Sequence, residues 1–339
     1  MLRKKSIRVK PPEFWKQRNS GAGALCLLPL SLGYSFASFF LQKLIKPWRS
    51  NTPVICVGNA VVGGAGKTPV ALSLGKYLID HGIRVSYLSR GYGGTKGGPY
   101  NIDAFSDNPI MVGDEALLLA KVAPTWISKN KISGIKASLI NKPNLILMDD
   151  GLQNHSIYKT FSILVVDGYS GFGNGMVFPS GPLREPVTRV LKRVNVVVII
   201  GRDRFGIKGQ LLKMDQSVEI LNADIVPLPA AMNLKDKPIV AFSGIGCPEK
   251  FFLTLDEFGF ETIFKKGFPD HHYYSIKELS KLRKQAEKSG AILVTTEKDW
   301  VRLPNEQKKG INYIETTLNW KDQDALASIL KNLVKLGER

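Results

Sequence analysis

The sequence predicts an α/β protein. A doubly wound, mostly parallel sheet is followed by a smaller C-terminal α/β domain and preceded by a membrane-associated helix. Three observations carry this. Short apolar runs rich in β-branched residues alternate with helical patterns between residues 54 and 201, as in sheets whose strands are joined by crossover helices. The run Val54-Ile55-Cys56-Val57 leads into Gly63-Gly64-Ala65-Gly66-Lys67-Thr68 and then a helical pattern. That is the strand, loop, helix setting of a phosphate-binding loop, and so of a P-loop NTPase sheet. Finally, residues 21–42 carry no charge while both flanks are basic.

At 339 residues the chain is long enough for two domains with sizeable cores. The pattern divides it into a basic lead and helix (1–50), a P-loop domain (51–225), a linker (226–237) and a C-terminal α/β domain (238–339). The net charge of +18 points to an acidic partner: anionic lipid, nucleotide, nucleic acid or a phosphorylated substrate. The basic residues are scattered and end-loaded, with no aromatic interleaving on a recognisable element, which argues against nucleic acid. Cys26, Cys56 and Cys247 are far apart and in no metal-ligand spacing. They read as packing residues in a reducing compartment.

The first 20 residues are basic. The uncharged stretch after them could span a bilayer by length. Pro29 and the scattered Gly and Ser weaken it as a span, and basic flanks on both sides favour neither end for export. The phosphate loop that follows must face cytosolic ATP. The favoured reading is a helix lying on, or partly inserted into, the cytoplasmic face of an anionic inner membrane, peripheral or monotopic. A helix packed on the soluble core is the other.

In the loop itself, glycines let backbone N–H groups turn toward phosphate oxygens, and the helix N-terminus adds its partial positive charge. Lys67 can reach the β- and γ-phosphates of ATP, and the Thr68 hydroxyl can sit on Mg²⁺. The expected nucleotide-binding set is Val61, Val62, Gly63, Gly64, Ala65, Gly66, Lys67 and Thr68. Val61 stands where the standard pattern has glycine. A second strand over 84–88 ends in Ser89-Arg90-Gly91-Tyr92-Gly93-Gly94, a glycine-rich loop at a strand's carboxyl end, where open α/β sheets bind ligands. Asp114 and Glu115 open an apolar helix over 116–123, and on their own read as an N-cap and a first-turn acid.

The apolar run from Leu145 ends in Asp149-Asp150, the form in which a strand-end acid holds Mg²⁺ directly or through water. Another strand over 161–167 leads into two Gly/Pro-rich loops. The second, Gly181-Pro182-Leu183-Arg184-Glu185-Pro186, could hold the Arg184 guanidinium against phosphate. A buried strand over 195–201 follows. Composition then shifts near 223–237, where Pro227, Pro229 and Pro238 suggest a linker. Beyond it the pattern gives a strand at 239–244, a helix at 248–258, a strand near 261–264, a helix at 276–289, a strand at 291–295 and a closing helix at 321–336. The loop Phe268-Pro269-Asp270-His271-His272-Tyr273 holds two of the four histidines.

Taken together, GNAVVGGAGKTP, SRGYGG, VGDE, DDGLQ, GFGNG, GPLREP, FPDHH and TTEKD, in this order and spacing, resemble one family. It is the tetraacyldisaccharide 4′-kinases of Gram-negative bacteria, the lipid A 4′-kinases. The resemblance covers roughly residues 11 to 303. It implies transfer of the ATP γ-phosphate to the 4′-hydroxyl of a lipid disaccharide 1-phosphate, giving lipid IV-A, with no obligate protein partner. It also implies Lys67 and Thr68 on the nucleotide and Mg²⁺, and Asp149 and Asp150 around the metal. Gln153, Arg184 and Glu185 would lie near the phosphates, and Arg90, Tyr92 and Glu115 on the substrate side. Asp114 would be the catalytic base, assisted by His271. Two positions depart from the pattern. Asn154 stands where many members have His after DDGLQ, and an acid common shortly after is replaced around Lys159-Thr160. The rival class is a regulatory P-loop ATPase that positions partner proteins. Its loop usually carries Lys before the two glycines, where this chain has Val62.

Overall fold

The computed structural model describes residues 12–16 and 21–338, so most of the basic lead lies outside the described residues. The strands, in chain order, begin with β1 (Val54–Gly58), β2 (Val85–Ser89), β3 (Tyr100–Asn101), β4 (Thr125–Ile127) and β5 (Leu145–Asp149). They continue with β6 (Phe161–Asp167), β7 (Val196–Ile200), β8 (Glu219–Pro227), β9 (Ile239–Ser243) and β10 (Thr262–Gly267). The last are β11 (Ile292–Thr296), β12 (Ile311–Ile314) and β13 (Thr316–Trp320). Nine form one sheet in the order β13-β8-β7-β6-β1-β5-β2-β4-β3, and four form a second in the order β10-β9-β11-β12. Pairing is parallel throughout, except that the edge strands β3 and β13 run antiparallel to their neighbours.

Strand β1 lies centrally between β5 and β6 and is buried along its whole length, as its unbroken apolar run requires. Its carboxyl end, with those of β5 and β2, forms one rim of the large sheet. The helix Lys67–Asp80 starts at Lys67, which puts Pro69 in the first turn, where its missing N–H leaves no bond unmade. Val70, Leu74 and Leu78 of that helix pack on one face of the sheet together with Leu326, Ile329, Leu330 and Leu333 of the C-terminal helix Gln323–Glu338. The opposite face is covered by Ile135, Val190, Leu191, Ile207 and Leu211 from three shorter helices.

Two expectations about the chain's division need correction. The stretch around 219–227, expected to run into a linker, is the nine-residue strand β8, paired parallel to β7. The C-terminal segment does not belong to the small domain. Strand β13 pairs with β8, and the last helix buries its apolar face in the core of the large sheet. An amphipathic helix shows that it has a partner but not which one. The four-stranded lobe is therefore an insertion between β8 and β13, with Phe251 and Leu255 packed on one face of its sheet and Leu279, Leu282 and Ala286 on the other.

Near the N-terminus, a short helix Ala22–Cys26 precedes Leu28–Leu44. Ser31 anchors the longer helix, donating from Oγ to the Val177 carbonyl at 2.8 Å and lying 2.8 Å from Ser180 Oγ. Leu30, Leu32, Phe36, Phe40, Leu41 and Leu44 are exposed. Among the described residues no helix is long and apolar enough to cross a membrane, so the length argument for a span fails.

Candidate active site

The glycine loop is tied to its surroundings by backbone bonds. Val61 bridges to Leu183, Val62 N–H donates to the Pro182 carbonyl at 2.8 Å, and Arg184 N–H donates to the Ala60 carbonyl at 2.8 Å. The two valines thus clamp the loop to the GPLREP segment. Gly66 caps the following helix at φ 85°, a conformation that favours glycine. Ala65, Lys67 and Thr68 are buried. Asn59, unremarked in the sequence, steadies the turn: its Nδ2 donates to the Gly63 carbonyl at 3.0 Å, and its own carbonyl accepts from Gln153 Nε2 at 3.0 Å.

The carboxyl end of β5 meets this loop. Thr68 Oγ1 donates to Asp149 Oδ2 at 3.1 Å, while Asp149 Oδ1 is buried with no hydrogen-bond partner among the described residues. Asp150 takes the positive φ of 55° that turns the chain back, and faces Lys67 Nζ at 3.8 Å and Arg184 Nη1 at 3.2 Å. Arg184 Nη1 also donates to Gln153 Oε1 at 3.0 Å. The two neighbouring acids are displaced in opposite directions. Burial, then the Glu115 charge, pushes the Asp149 carboxyl up to about 7 against the pull of Lys67. Burial would raise Asp150 too, but Lys67 and Arg184 outweigh it and hold that carboxyl low.

Across from this group, the small lobe contributes its own. Asp114 is the first residue of the helix Asp114–Ala120, and Gly113, not Asp114, occupies the cap position. Gly113 has φ 90°, and a Cβ there would come within 2.5 Å of the Tyr92 carbonyl, so glycine is what allows the SRGYGG loop to pass so close. Asp114 Oδ2 accepts from His271 Nδ1 at 2.9 Å and from Arg302. Burial alone would raise the Asp114 carboxyl. The His271 hydrogen bond and the Lys298 and Arg302 charges outweigh it, holding the group well below the usual carboxylate range.

Arg302 and Lys298 were not picked out from the sequence. They lie four apart on the helix Glu297–Arg302, so both face the large lobe. Lys298 Nζ meets Glu115 Oε1 at 2.7 Å, and Arg302 Nη1 also donates to the Gly244 carbonyl at 2.7 Å and to Asp299 Oδ1 at 2.9 Å. Asp299 is fully buried and accepts from Ser243 Oγ, Gly244 N–H, Tyr274 OH and Thr296 Oγ1. The signal was present in TTEKDWVR: a capping Thr296, an acid three residues on, and cations four apart.

The remaining expected residues divide. Tyr92 is exposed, with its ring 5.4 Å from that of His271, and lines a small cleft with Asp114, His271, Tyr273 and Arg302. Arg90, just past β2, is exposed. Glu185 is buried and pairs with Arg193 Nη2 at 2.7 Å.

The model of the family described as tetraacyldisaccharide-1-P 4′-kinase matches residues 23–335. The tetraacyldisaccharide 4′-kinase of Paramagnetospirillum magneticum is 41% identical over 325 residues, covering 96% of this chain and 99% of that protein. The chain belongs to the tetraacyldisaccharide 4′-kinase family. A further relative of the same name, from Parvibaculum lavamentivorans, is 45% identical over 298 residues, 87% of each chain. The fold agrees with a crystal structure of LpxK from Aquifex aeolicus in complex with ATP, at TM-score 0.74 and 24% identity, over 92% of this chain and 99% of that one. Membership in a kinase family, over nearly the whole length, removes the partner-positioning ATPase as the reading of this loop.

Proposed function

We propose that the chain transfers the γ-phosphoryl group of ATP to the 4′-hydroxyl of a tetraacyldisaccharide 1-phosphate, with Mg²⁺, at the cytoplasmic face of an anionic membrane. The observation that carries this is the meeting of two groups on one rim: Lys67, Thr68, Asp149 and Asp150 from the large sheet, and the Asp114–His271 pair that spans the lobes. The first fits a metal–phosphate. Mg²⁺ takes few protein ligands, usually one or two carboxylates with substrate phosphates and water. Thr68 Oγ1 beside Asp149, whose second oxygen is buried without a partner, offers such a donor set. When bound, the ion would neutralise charge on the transferring phosphoryl group. Lys67 and Arg184 would add fixed positive charge that needs no reorganisation during transfer.

The second group handles the proton. Asp114, held ionised, selects the His271 tautomer with hydrogen on Nδ1, which leaves the Nε2 lone pair as proton acceptor. The carboxylate orients the ring and stabilises the imidazolium that forms. This shifts the base from Asp114, where the family resemblance put it, to the pair acting together. Tyr92, at the cleft mouth, would lie on the substrate side. The exposed apolar face of Leu28–Leu44 supports membrane seating, where an acylated substrate resides.

The test is transfer of labelled γ-phosphate from ATP to the disaccharide 1-phosphate with Mg²⁺. Turnover that depends on the lipid acceptor is expected. Hydrolysis of ATP unaffected by the acceptor would overturn the proposal.

A further inference from the structure

Asp299, on the helix Glu297–Arg302, is fully buried and organises the small lobe's half of the cleft. Ser243 Oγ and Gly244 N–H, at the end of β9, donate to it at 2.9 and 3.0 Å. Thr296 Oγ1, at the end of β11, donates at 2.7 Å, and Tyr274 OH at 2.8 Å. Two routes lead from this carboxylate to the reactive pair. Along one, the Gly244 carbonyl accepts the His271 backbone N–H at 2.9 Å, holding His271 at a φ of 53° that is uncommon outside glycine. Along the other, Asp299 Oδ1 and the same Gly244 carbonyl accept from Arg302 Nη1 at 2.9 and 2.7 Å. The opposite edge of that guanidinium, Nε and Nη2, meets Asp114 Oδ2. His271 Nδ1 donates to the same oxygen, which is why Arg302 Nη2 lies 3.2 Å from it.

A role as one more ion pair between the lobes fits poorly. Lys250 with Asp167, Lys121 with Glu297 and Lys298 with Glu115 already join them, and none of these pairs includes a member of the reactive pair. Arg302 touches both members, and groups of its own lobe fix its direction. We propose that Arg302 is a positioning residue for phosphoryl transfer: aimed by Asp299, it fixes the Asp114 carboxylate against His271 as the lobes come together. A planar fork with two separate edges can serve the anchor and the acid at once, which the single ammonium of lysine cannot match. Asp299 thereby becomes the common reference for both partners, for His271 through Gly244 and for Asp114 through Arg302. This deepens the kinase reading and rests on it.

Full-length Arg302→Met, Arg302→Gln, Arg302→Lys and Asp299→Asn variants test this, with Asp114→Ala as a second background. Turnover gives kcat and the KM for ATP, and thermal shifts with Mg²⁺ and ATP report nucleotide binding. The downfield proton resonance of His271 Nδ1, assigned by its loss in His271→Asn, reports the bond to Asp114. Arg302→Met and Arg302→Gln should lose about 10²-fold in kcat, with KM for ATP within about twofold of the parent. They should keep the ATP shift, lose the Nδ1 resonance, and add little to the defect of Asp114→Ala. Arg302→Lys should recover part of the turnover and of the resonance. Asp299→Asn should lose about tenfold in kcat, and little more when combined with Arg302→Met. Arg302→Gln retains a donor for Asp299, so the test survives if Arg302→Met does not fold. A kcat within about twofold of the parent and a retained Nδ1 resonance in the uncharged variants overturn the proposal, as do losses fully multiplicative with Asp114→Ala. So does a lowered melting temperature with loss of the ATP shift in both uncharged variants, which would make Arg302 a structural ion pair. Should the parent protein transfer no phosphate to the lipid, the kinase reading fails, while the Nδ1 resonance still decides whether Arg302 holds the pair together.

Discussion

Asp114 shows how one residue's role depends on neighbours that the local sequence does not display. By position it resembles a first-turn acid, and one oxygen does accept the next backbone N–H, from Glu115, at 2.9 Å. The other oxygen meets His271 and Arg302, which are 157 and 188 residues away. Because Asp114 and His271 act on one proton, Asp114→Ala should lower kcat by about 10²–10⁴ while leaving ATP affinity nearly unchanged. Adding His271→Ala should cost little more, and fully multiplicative losses in steady-state kinetics would refute the pairing. At the phosphate loop, Lys67→Ala should nearly abolish transfer in a protein that still melts cooperatively. A different histidine contributes to acid sensitivity. Burial, then Arg193, Lys159 and Arg189, lowers His155 from 6.5 to about 4. The unfolded chain therefore takes up this proton first, and stability is lost as pH falls from 6.5 toward about 4. Denaturant midpoints for His155→Asn should fall less steeply over that window than those of the parent.

Among the elements, the buried strands were legible because a strand covered on both faces reads as a continuous apolar run, as in β1, β5 and β7. Strand β8 was not, because Glu219, Asn222, Asp224 and the prolines near its end look like a linker until a partner is known. Strand β13 was missed altogether, since Thr316–Trp320 is short and its pairing with β8 is set by the tertiary fold. The phosphate loop and the strand-end acids were readable from spacing alone, whereas Lys298 and Arg302 meet Glu115 and Asp114 only through three-dimensional proximity. The Leu28–Leu44 helix was readable as uncharged, but its depth in a bilayer was not. Eight exposed large hydrophobic side chains on a seventeen-residue helix suit seating on a surface. Each fully buried Leu or Phe is worth roughly 1.5–3 kcal/mol, so Phe36→Ser with Leu41→Ser should cut partitioning onto anionic vesicles by well over about tenfold. Unchanged sedimentation with those vesicles would show that this face does not seat on lipid.

At the scale of the whole molecule, the chain enters the small lobe after β8 and returns through β13, and these strands lie side by side. Leu228 N–H donates to the Glu315 carbonyl at 2.9 Å where the two connections pass. Across the cleft the lobes meet through Lys250 with Asp167, Lys121 with Glu297, Lys298 with Glu115 and Arg302 with Asp114. A lobe held by adjacent strands can move against the other without either core opening, and the Asp114–His271 pair is complete only with the lobes together. The same topology makes the C-terminus structural for the P-loop lobe. Leu318, Leu326, Ile329, Leu330 and Leu333 are buried on the large sheet, against the helix that begins at Lys67. At roughly 1.5–3 kcal/mol per side chain, their removal costs about 7–15 kcal/mol. That equals or exceeds the ~5–15 kcal/mol by which a domain is stable. A chain ending at residue 315 should therefore lose the large lobe's cooperative melt, along with any thermal shift on adding Mg²⁺ and ATP, although the four-stranded sheet is left whole. A truncated protein that keeps both would show that the last helix belongs energetically to the small lobe.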